Sequence, residues 1–146
     1  MGQAKKQIRK KPERFVGIPY NVANSHHFGM LEAREVKLLL DLLIQRNGRN
    51  NGCLSPCHSL MKKRGWAASS LYRAFSGLIN KGFVVVTRQG WKVRGKPTLI
   101  ALTWDGIDEP VQGVEYDDHI KISHIPLNYW CKHPETWRDN NKTTSP

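Results

Sequence analysis

The most regular hydrophobic pattern in the chain predicts a helix over residues 32–46. Apolar side chains recur there at the three- and four-residue spacing of one helical face, and further ones widen that face. These positions are Ala33, Val36, Leu39, Leu40 and Leu43, widened by Leu38, Leu42 and Ile44. The polar stripe that remains consists of Arg34, Lys37, Asp41 and Gln45. The Asn- and Gly-rich run at 47–52 tolerates left-handed backbone, so we expect a deeply embedded helix that ends there.

A second, shorter helix is predicted over residues 56–64. Ser55 is a good N-cap, and Pro56 suits the first helical position. The helix would end at Gly65 and bury three apolar side chains, those of Cys57, Leu60 and Met61.

A third helix is predicted over residues 67–81, with Gly82 as the residue that ends it. Its apolar positions again have helical spacing, at Leu71, Ala74, Phe75, Leu78 and Ile79. Ala67 has no capping oxygen, so we expect Ser69 or Ser70 to cap the helix one turn later. Two helices joined by a short turn that contains Gly, the second long and polar on one face, form a helix-turn-helix signature.

Two strands follow the helices. The valine-rich residues 83–88 and the apolar residues 99–104 predict an antiparallel hairpin, and residues 89–98, with Gly90, Gly95 and Pro97, predict the loop between them. The order of elements therefore predicts a mainly α fold with a small β-hairpin. Specifically, it predicts a winged helix-turn-helix, a three-helix core plus a two-stranded wing. A chain of 146 residues with 39% hydrophobic residues can form one core of this size.

The charge distribution indicates a polyanionic partner. The net charge is +11, and residues 42–104 contain bases but no Asp or Glu. Acids return without bases at residues 105–118, so the charge pattern predicts a domain boundary near Trp104. We expect a disordered basic arm at 1–14, a domain at 15–104, and an acidic linker with a C-terminal tail at 105–146. The acidic linker is also a candidate competitor with DNA for the basic face.

The outer face of the third helix carries the candidate base-reading residues, because its side chains include types that contact base edges and phosphates. These are Ser69, Ser70, Tyr72, Arg73 and Ser76. We expect Arg73 to make the main base contact, since its guanidinium can pair with O6 and N7 of guanine.

Bases elsewhere are candidates for contacts with the DNA backbone or minor groove. They are Lys62, Lys63 and Arg64 at the end of the second helix, Arg88, Lys92, Arg94 and Lys96 on the wing, and Lys10 and Lys11 on the arm. The three at the helix end also complement the helix dipole, which is a structural reason for their presence. Trp91 either packs under the wing or stacks on a partner.

No residue pattern indicates catalysis. Cys53, Cys57 and His58 lie close together, but their spacing is not that of a known zinc finger, so we expect no metal and no cofactor. A metal-dependent nuclease would need convergent carboxylates inside the fold, which the acid-free 42–104 stretch does not supply. No apolar run approaches the length of a membrane span. We therefore expect a soluble cytoplasmic protein, associated with the nucleoid and without enzymatic activity.

Residues 67–86 (AASSLYRAFSGLINKGFVVV) resemble the recognition helix and first wing strand of winged-helix regulators such as the MarR family. The matching positions are Ser70, Leu71, Arg73, Phe75, Leu78, Gly82, Phe83 and Val84. The span 15–104 is similar to prophage and mobile-element proteins in the style of the N-terminal domain of phage replication protein O. The features that carry this similarity are FVGIPYNV, the helix before NGRNNG, MKKRGW, LINKGFVVVTRQG and ALTW. The resemblance implies base reading by the third helix, but Ala67 departs from the capping Ser or Thr that is usual there.

Three functions remain open at this level. The first is sequence-specific binding of double-stranded DNA by a transcriptional regulator, and the second is origin binding by a replication factor. The third is a protein–protein adaptor in which the basic face is incidental. A regulator of this kind usually forms a homodimer, for which residues 22–28 or 125–130 are candidate surfaces. The latter stretch is also a candidate docking site for a protein partner.

Overall fold

The computed structural model describes residues 13–90 and 96–141 of the chain. The α-helices of this part are α1 (Tyr20–Ala23), α2 (His26–Gly29), α3 (Ala33–Ile44), α4 (His58–Met61) and α5 (Ala68–Asn80). Its strands are β1 (Val84–Arg88) and β2 (Leu99–Leu102). Short 3₁₀ helices occupy Lys62–Arg64, Tyr129–Cys131, Pro134–Thr136 and Arg138–Asn141. The chain is therefore mainly helical with a small antiparallel sheet, as the sequence predicts.

The two long helices, α3 and α5, pack against each other and form most of the helical core. Leu38, Leu39 and Leu42 of α3 are fully buried, as are Leu78 and Ala74 of α5. The predicted width of the apolar face of α3 is wrong, because Leu40 and Ile44 are both more than 40% exposed. Ile44 lies five residues after the buried Leu39. Because successive residues are about 100° apart around the helix, its side chain points well away from the buried face.

Helix α4 is much shorter than the sequence predicts, and Ser55 is not its N-cap. The side chain of Gln45 brackets Ser55: its Nε2 donates to the Ser55 carbonyl, and its Oε1 accepts from the Ser55 N–H, both at 2.8 Å. This pairing holds Ser55 against the end of α3, and the helix begins only at His58. The predicted burial also fails for Leu60, which is exposed, and for Cys57, which is half-buried, whereas Met61 is buried.

Helix α5 begins at Ala68, and Ala67 is the N-cap without a side-chain capping bond. The expectation that Ser69 or Ser70 caps it one turn later is therefore wrong. At the other end, Gly82 ends the helix, as predicted, with a left-handed backbone conformation (φ +79°). A Cβ at Gly82 would lie 2.7 Å from the backbone of Tyr129, so the C-terminal tail crosses the end of α5 at this glycine.

The hairpin pairs β1 with β2 in an antiparallel register, with Val85 opposite Ala101 and an irregularity between Val86 and Arg88. Leu54, which precedes α4, adds one further bridge. Its N–H donates to the Ile100 carbonyl at 3.2 Å, and its carbonyl accepts from the Ile100 N–H at 2.8 Å. The segment between α3 and α4 is thereby fixed along the edge of β2.

Both faces of the hairpin are buried. One face, with Val84, Val86 and Ile100, joins the helical core. The other, with Val85 and Ala101, is covered by residues from beyond Trp104: Ile107, Tyr116, Ile120, Leu127 and Tyr129. The segment 105–129 therefore packs on the sheet through these side chains, whereas the sequence predicts an acidic linker outside the domain.

The tail completes the core through two tryptophans. Trp130 stacks on Phe83 with 6.4 Å between ring centroids, and Trp137 stacks on Tyr129 at 5.4 Å. Within the described ranges, no helix has both the length and the apolar character needed to cross a membrane.

Candidate nucleic-acid interface

The outer face of α5 presents a continuous polar surface. Successive residues of a helix lie about 100° apart, so positions 69, 72, 73, 76 and 80 share one side, opposite the buried Leu71, Phe75 and Leu78. Ser69, Tyr72 and Arg73 are exposed, and Ser70 and Ser76 are half-buried. The structure thus brings the five sequence-predicted reading residues together on one helix, with Ser70 at the margin. Their side chains supply hydroxyl groups and one guanidinium.

A buried carboxylate fixes the turn that leads into α5. Asp41 of α3 accepts hydrogen bonds from the indole Nε1 of Trp66 at 2.7 Å, from Arg64 Nε at 3.0 Å and from Lys37 Nζ at 2.8 Å. Its side chain is only 4% exposed. Lys37 also lies over the Trp66 ring, 4.7 Å from its centroid. Because Ala67 caps α5 without a side chain, this Asp41 cluster is what positions the start of the helix.

Ionisation of Asp41 is favoured in the folded protein. Burial acts to raise the pKa of Asp41, but the hydrogen bonds from Lys37, Trp66 and Arg64 together outweigh burial and lower it. The carboxylate therefore stays charged and holds the two cations. Sequence analysis placed Asp41 in a polar stripe, and the only signal for its role was Lys37 four residues before it.

A second buried carboxylate fixes the C-terminal end of α5. Lys81 Nζ lies 2.5 Å from Glu35 Oε1, and the same oxygen accepts from the Glu32 N–H at 2.7 Å. Gly77 makes room for this group, because a Cβ there would overlap the Glu35 carboxylate. The sequence interpretation did not single out Glu35 or Lys81. The carboxylates of Asp41 and Glu35 are thus both buried and paired with cations.

The basic end of the α4 region lies directly before the turn. Lys62, Lys63 and Arg64 form the 3₁₀ helix and are all exposed. Arg64 is committed to Asp41, so Lys62 and Lys63 are the cations that remain for a backbone contact. The sequence reasoning grouped all three, and the structure separates Arg64 as a positioning residue.

Of the predicted hairpin loop, the structure describes residues 89–90 and 96–98. Lys92, Arg94 and Trp91 lie outside the described residues, and so do Lys10 and Lys11 of the arm. Lys96 is exposed, whereas the half-buried Arg88 donates from Nη2 to the Pro97 carbonyl at 2.9 Å.

Arg88 and Lys96 line a cleft whose other wall is acidic. The cleft has a volume of about 820 Å³, and its carboxylates are Glu115, Asp117 and Asp118. Asp117 is anchored there, since its N–H donates to the Thr87 carbonyl at 2.8 Å and its Oδ2 accepts from the Gln89 N–H at 2.9 Å. The hairpin cations therefore have an electrostatic environment that the acid-free run of sequence did not predict.

The side chain of Asn51 connects the sheet to the start of the acidic segment. Its side chain donates to the Leu102 carbonyl at 2.9 Å and to the Gly106 carbonyl at 2.8 Å, and it accepts from the Leu102 N–H at 2.8 Å. Its own N–H donates to Asp108 Oδ2 at 2.7 Å. Sequence analysis treated this asparagine only as part of a helix-ending run, and nothing in the local sequence indicated contacts more than fifty residues away.

Tyr116 provides a further anchor for the acidic segment. Its hydroxyl donates to the Asp108 carbonyl at 2.8 Å and lies 3.7 Å from Cys53 Sγ. Burial, followed by the neighbouring Cys53, raises the pKa of Tyr116. The tyrosine therefore stays neutral and keeps its proton for this hydrogen bond.

The described part of the chain holds no group of three or more His, Cys, Asp or Glu side chains arranged to bind a metal ion. Comparison of the chain with protein-family models, curated proteins and solved structures gives no match.

Proposed function

We propose that the chain is a winged-helix protein that binds double-stranded DNA sequence-specifically and acts as a transcriptional regulator. In this proposal α5 enters the major groove, and the residues around the hairpin loop contact the neighbouring phosphates. The activity is binding alone, with no catalysis and no cofactor.

One observation carries the proposal: the outer face of α5 combines an exposed Arg73 with hydroxyl side chains, and the carboxylates of Asp41 and Glu35 beneath it are buried and paired. A carboxylate on this face would repel phosphates, whereas an arginine can pair bidentately with guanine. Lys62 and Lys63, exposed just before the turn, supply charge for the DNA backbone.

The order of the elements also supports the winged-helix assignment. Helix α3 is followed by the Leu54 bridge to β2, then by α4, α5 and the hairpin. The same order underlies the helix-turn-helix expectation, with α4 and α5 joined by a turn at Gly65, whose φ is +87°.

Selection of bound sites from a random duplex pool tests the proposal. The full chain and its Arg73→Ala variant are each used for selection, with Arg49→Ala as the matched control. Arg49 is an exposed arginine of the same basic stretch but lies outside α5. We expect a consensus with the wild type and with Arg49→Ala, and loss of preference at one or two base pairs with Arg73→Ala. No enrichment with the wild type, or the same consensus from all three proteins, would contradict reading by α5.

The form of the consensus separates the two biological roles. A palindrome would support a dimeric regulator, and iterated direct repeats would instead support origin binding. Affinity for the selected site should also depend steeply on salt, with a log–log slope of about −5 to −7 if roughly 6–8 phosphates are neutralised. A salt-independent interaction with a protein, and none with duplex DNA, would instead favour an adaptor.

A further inference from the structure

A cavity of about 660 Å³ lies between α2, the C-terminal end of α5 and the C-terminal tail. Its apolar walls come from Met30, which is 62% exposed, and from four largely buried side chains: Phe83, Trp130, Pro134 and Trp137. Small-molecule sites are typically clefts of roughly 300–1,000 Å³ with mainly apolar and aromatic walls and a few polar groups. The volume and the walls of this cavity therefore match a small-molecule site.

The walls of the cavity are fixed by contacts within the chain. The Trp137 indole Nε1 donates to the Lys132 carbonyl at 3.3 Å, and the His27 ring meets Trp130 edge-on with 6.2 Å between ring centroids. Lys81 Nζ donates to the Met30 carbonyl at 3.4 Å, which ties the end of α5 to the segment after α2. The cavity is therefore formed before any ligand binds, which lowers the cost of ordering it.

The charges around the cavity favour a ligand with a single anionic group. None of the described residues that line it is Asp or Glu. Lys81 lines it but is paired with the buried Glu35, whereas the exposed Lys132 has no ion-pair partner among the described residues. Glu135 lies 3.9 Å from His133 Nδ1, but it points to solvent with 88% of its side chain exposed and does not line the cavity. One unpaired lysine beside apolar walls suits an apolar body with one anionic group.

The segments of the chain outside the described ranges do not have this chemistry. Residues 1–12, 91–95 and 142–146 all contain bases, and none of them contains Asp or Glu. Their charge has the same sign as that of Lys132, so they are poor occupants for the cavity.

We propose that this cavity binds a small amphipathic organic anion, with its apolar body against Met30, Trp130 and Pro134 and its anionic group at Lys132. Such a ligand contacts α2, α5 and the tail at once. Because it binds only the folded chain, it should raise the melting temperature as its concentration rises. The cavity also borders Asn80, the last residue of α5, but the proposal does not depend on DNA binding.

Titration of the full chain with octanoate, without DNA and followed by two-dimensional NMR, tests the proposal. Octanoate has an apolar chain and one carboxylate, and octanol is the matched probe without the charge. We expect octanoate to shift the indole N–H signals of Trp130 and Trp137. The signal of Trp66, whose indole is bonded to Asp41 at the other end of α5, should not move. Octanol should bind several-fold more weakly than octanoate.

Substitutions separate the charged contact from the apolar one. Lys132→Glu should raise the dissociation constant of octanoate roughly fivefold or more, because it replaces an exposed ion pair with a repulsion, and should leave octanol binding unchanged. Lys121→Glu, at an exposed lysine that does not line the cavity, changes the net charge equally and is the control. Met30→Ala should weaken both probes. All three residues are exposed, so the fold should tolerate these changes.

The proposal would be overturned if octanoate at millimolar concentration left the Trp130 and Trp137 signals in place, or moved the Trp66 signal as far. Equal affinity for octanoate and octanol would also overturn it, as would a loss with Lys121→Glu as large as that with Lys132→Glu. The measurement contains no DNA, so its failure is distinct from a failure of the DNA-binding proposal.

Discussion

The outer face of α5 and the edge of the hairpin differ in electrostatic environment, although both come from the same basic, acid-free stretch of sequence. Near α5, the carboxylates of Glu35 and Asp41 are buried and paired with cations. At the hairpin, Arg88 and Lys96 share a cleft with three carboxylates. The acids that reach the hairpin come from later in the chain and are held there by backbone hydrogen bonds. If the chain binds DNA as proposed, Arg73 on α5 would face the DNA directly, whereas at the hairpin the DNA would compete with the protein's own acids for Arg88 and Lys96.

The largest loss of stability is expected from substitution of Asn51, whose side chain ties the sheet at Leu102 to the start of the acidic segment at Gly106. Asn51→Ala removes hydrogen bonds to the Leu102 N–H, the Leu102 carbonyl and the Gly106 carbonyl in a fully buried position. Leaving these groups without partners should lower the free energy of unfolding by roughly 3 kcal/mol or more. Urea denaturation followed by circular dichroism measures this change.

The control for that variant is Asn47→Ala, an exposed asparagine of the same run with one local bond to Arg49. It should change stability by well under 1 kcal/mol, as is typical of surface positions. Equal effects from both substitutions would show that Asn51 does not anchor the acidic segment.

A smaller loss of stability is expected from substitution of Asp41, which positions the start of α5. Asp41→Ala leaves the buried Trp66 indole without an acceptor and removes the partner of Lys37 and Arg64. Because both cations are about half exposed and can be hydrated, we expect a loss of about 2 kcal/mol. Arg64→Ala, which leaves Asp41 two donors, should cost less than half of that.

The Asp41 carboxylate also makes the free energy of unfolding depend on pH. The pKa of Asp41 is lowered in the folded state, so its contribution to stability is fully present above the pKa of the unfolded chain. That contribution should disappear as the pH falls through the lowered folded-state pKa. Denaturation curves across the acid range should show this loss in the wild type and a smaller one in Asp41→Asn. Parallel curves for the two proteins would contradict the assignment.

The main elements follow from local sequence, whereas these anchoring contacts do not. Regular apolar spacing at Leu71, Phe75 and Leu78 is sufficient to predict α5, because one helical face carries the information. The Asp41 cluster joins residues more than twenty positions apart, and Asn51 reaches Leu102 across fifty. Such contacts arise from tertiary packing, so single-residue patterns cannot report them.

The sequence does indicate that the second face of the hairpin, with Val85 and Ala101, is buried. Positions 83–86 and 99–102 are apolar at consecutive residues rather than alternating ones, which is the pattern of strands buried on both faces. Three helices can cover only one face of a hairpin, so the second cover had to come from elsewhere in the chain. The abrupt change of charge at residue 105 obscured this, since Ile107 and Tyr116 lie among the acids.

The contrast between the two regions predicts unequal effects on DNA affinity. Arg73→Ala should weaken binding to the selected site by about 1–3 kcal/mol, as expected for a bidentate base contact. Lys96→Ala should cost well under 1 kcal/mol, because nearby acids already offset its charge. Fluorescence anisotropy with a labelled duplex measures both. Equal losses for the two variants, independent of sequence, would remove the distinction between α5 and the hairpin.

The smallest effect is expected when the acids of the hairpin cleft are neutralised. Glu115→Gln combined with Asp118→Asn removes two exposed carboxylates beside Lys96 and leaves the anchoring Asp117 in place. Affinity for any duplex should rise a few-fold at low salt, and the gain should shrink as salt screens the charges. Glu109→Gln combined with Glu135→Gln changes the net charge equally at exposed sites that do not line the cleft, so a similar gain from that pair would mean that only total charge matters. No gain from the cleft pair would mean that DNA never approaches this edge of the hairpin, which would leave the outer face of α5 as the main contact surface.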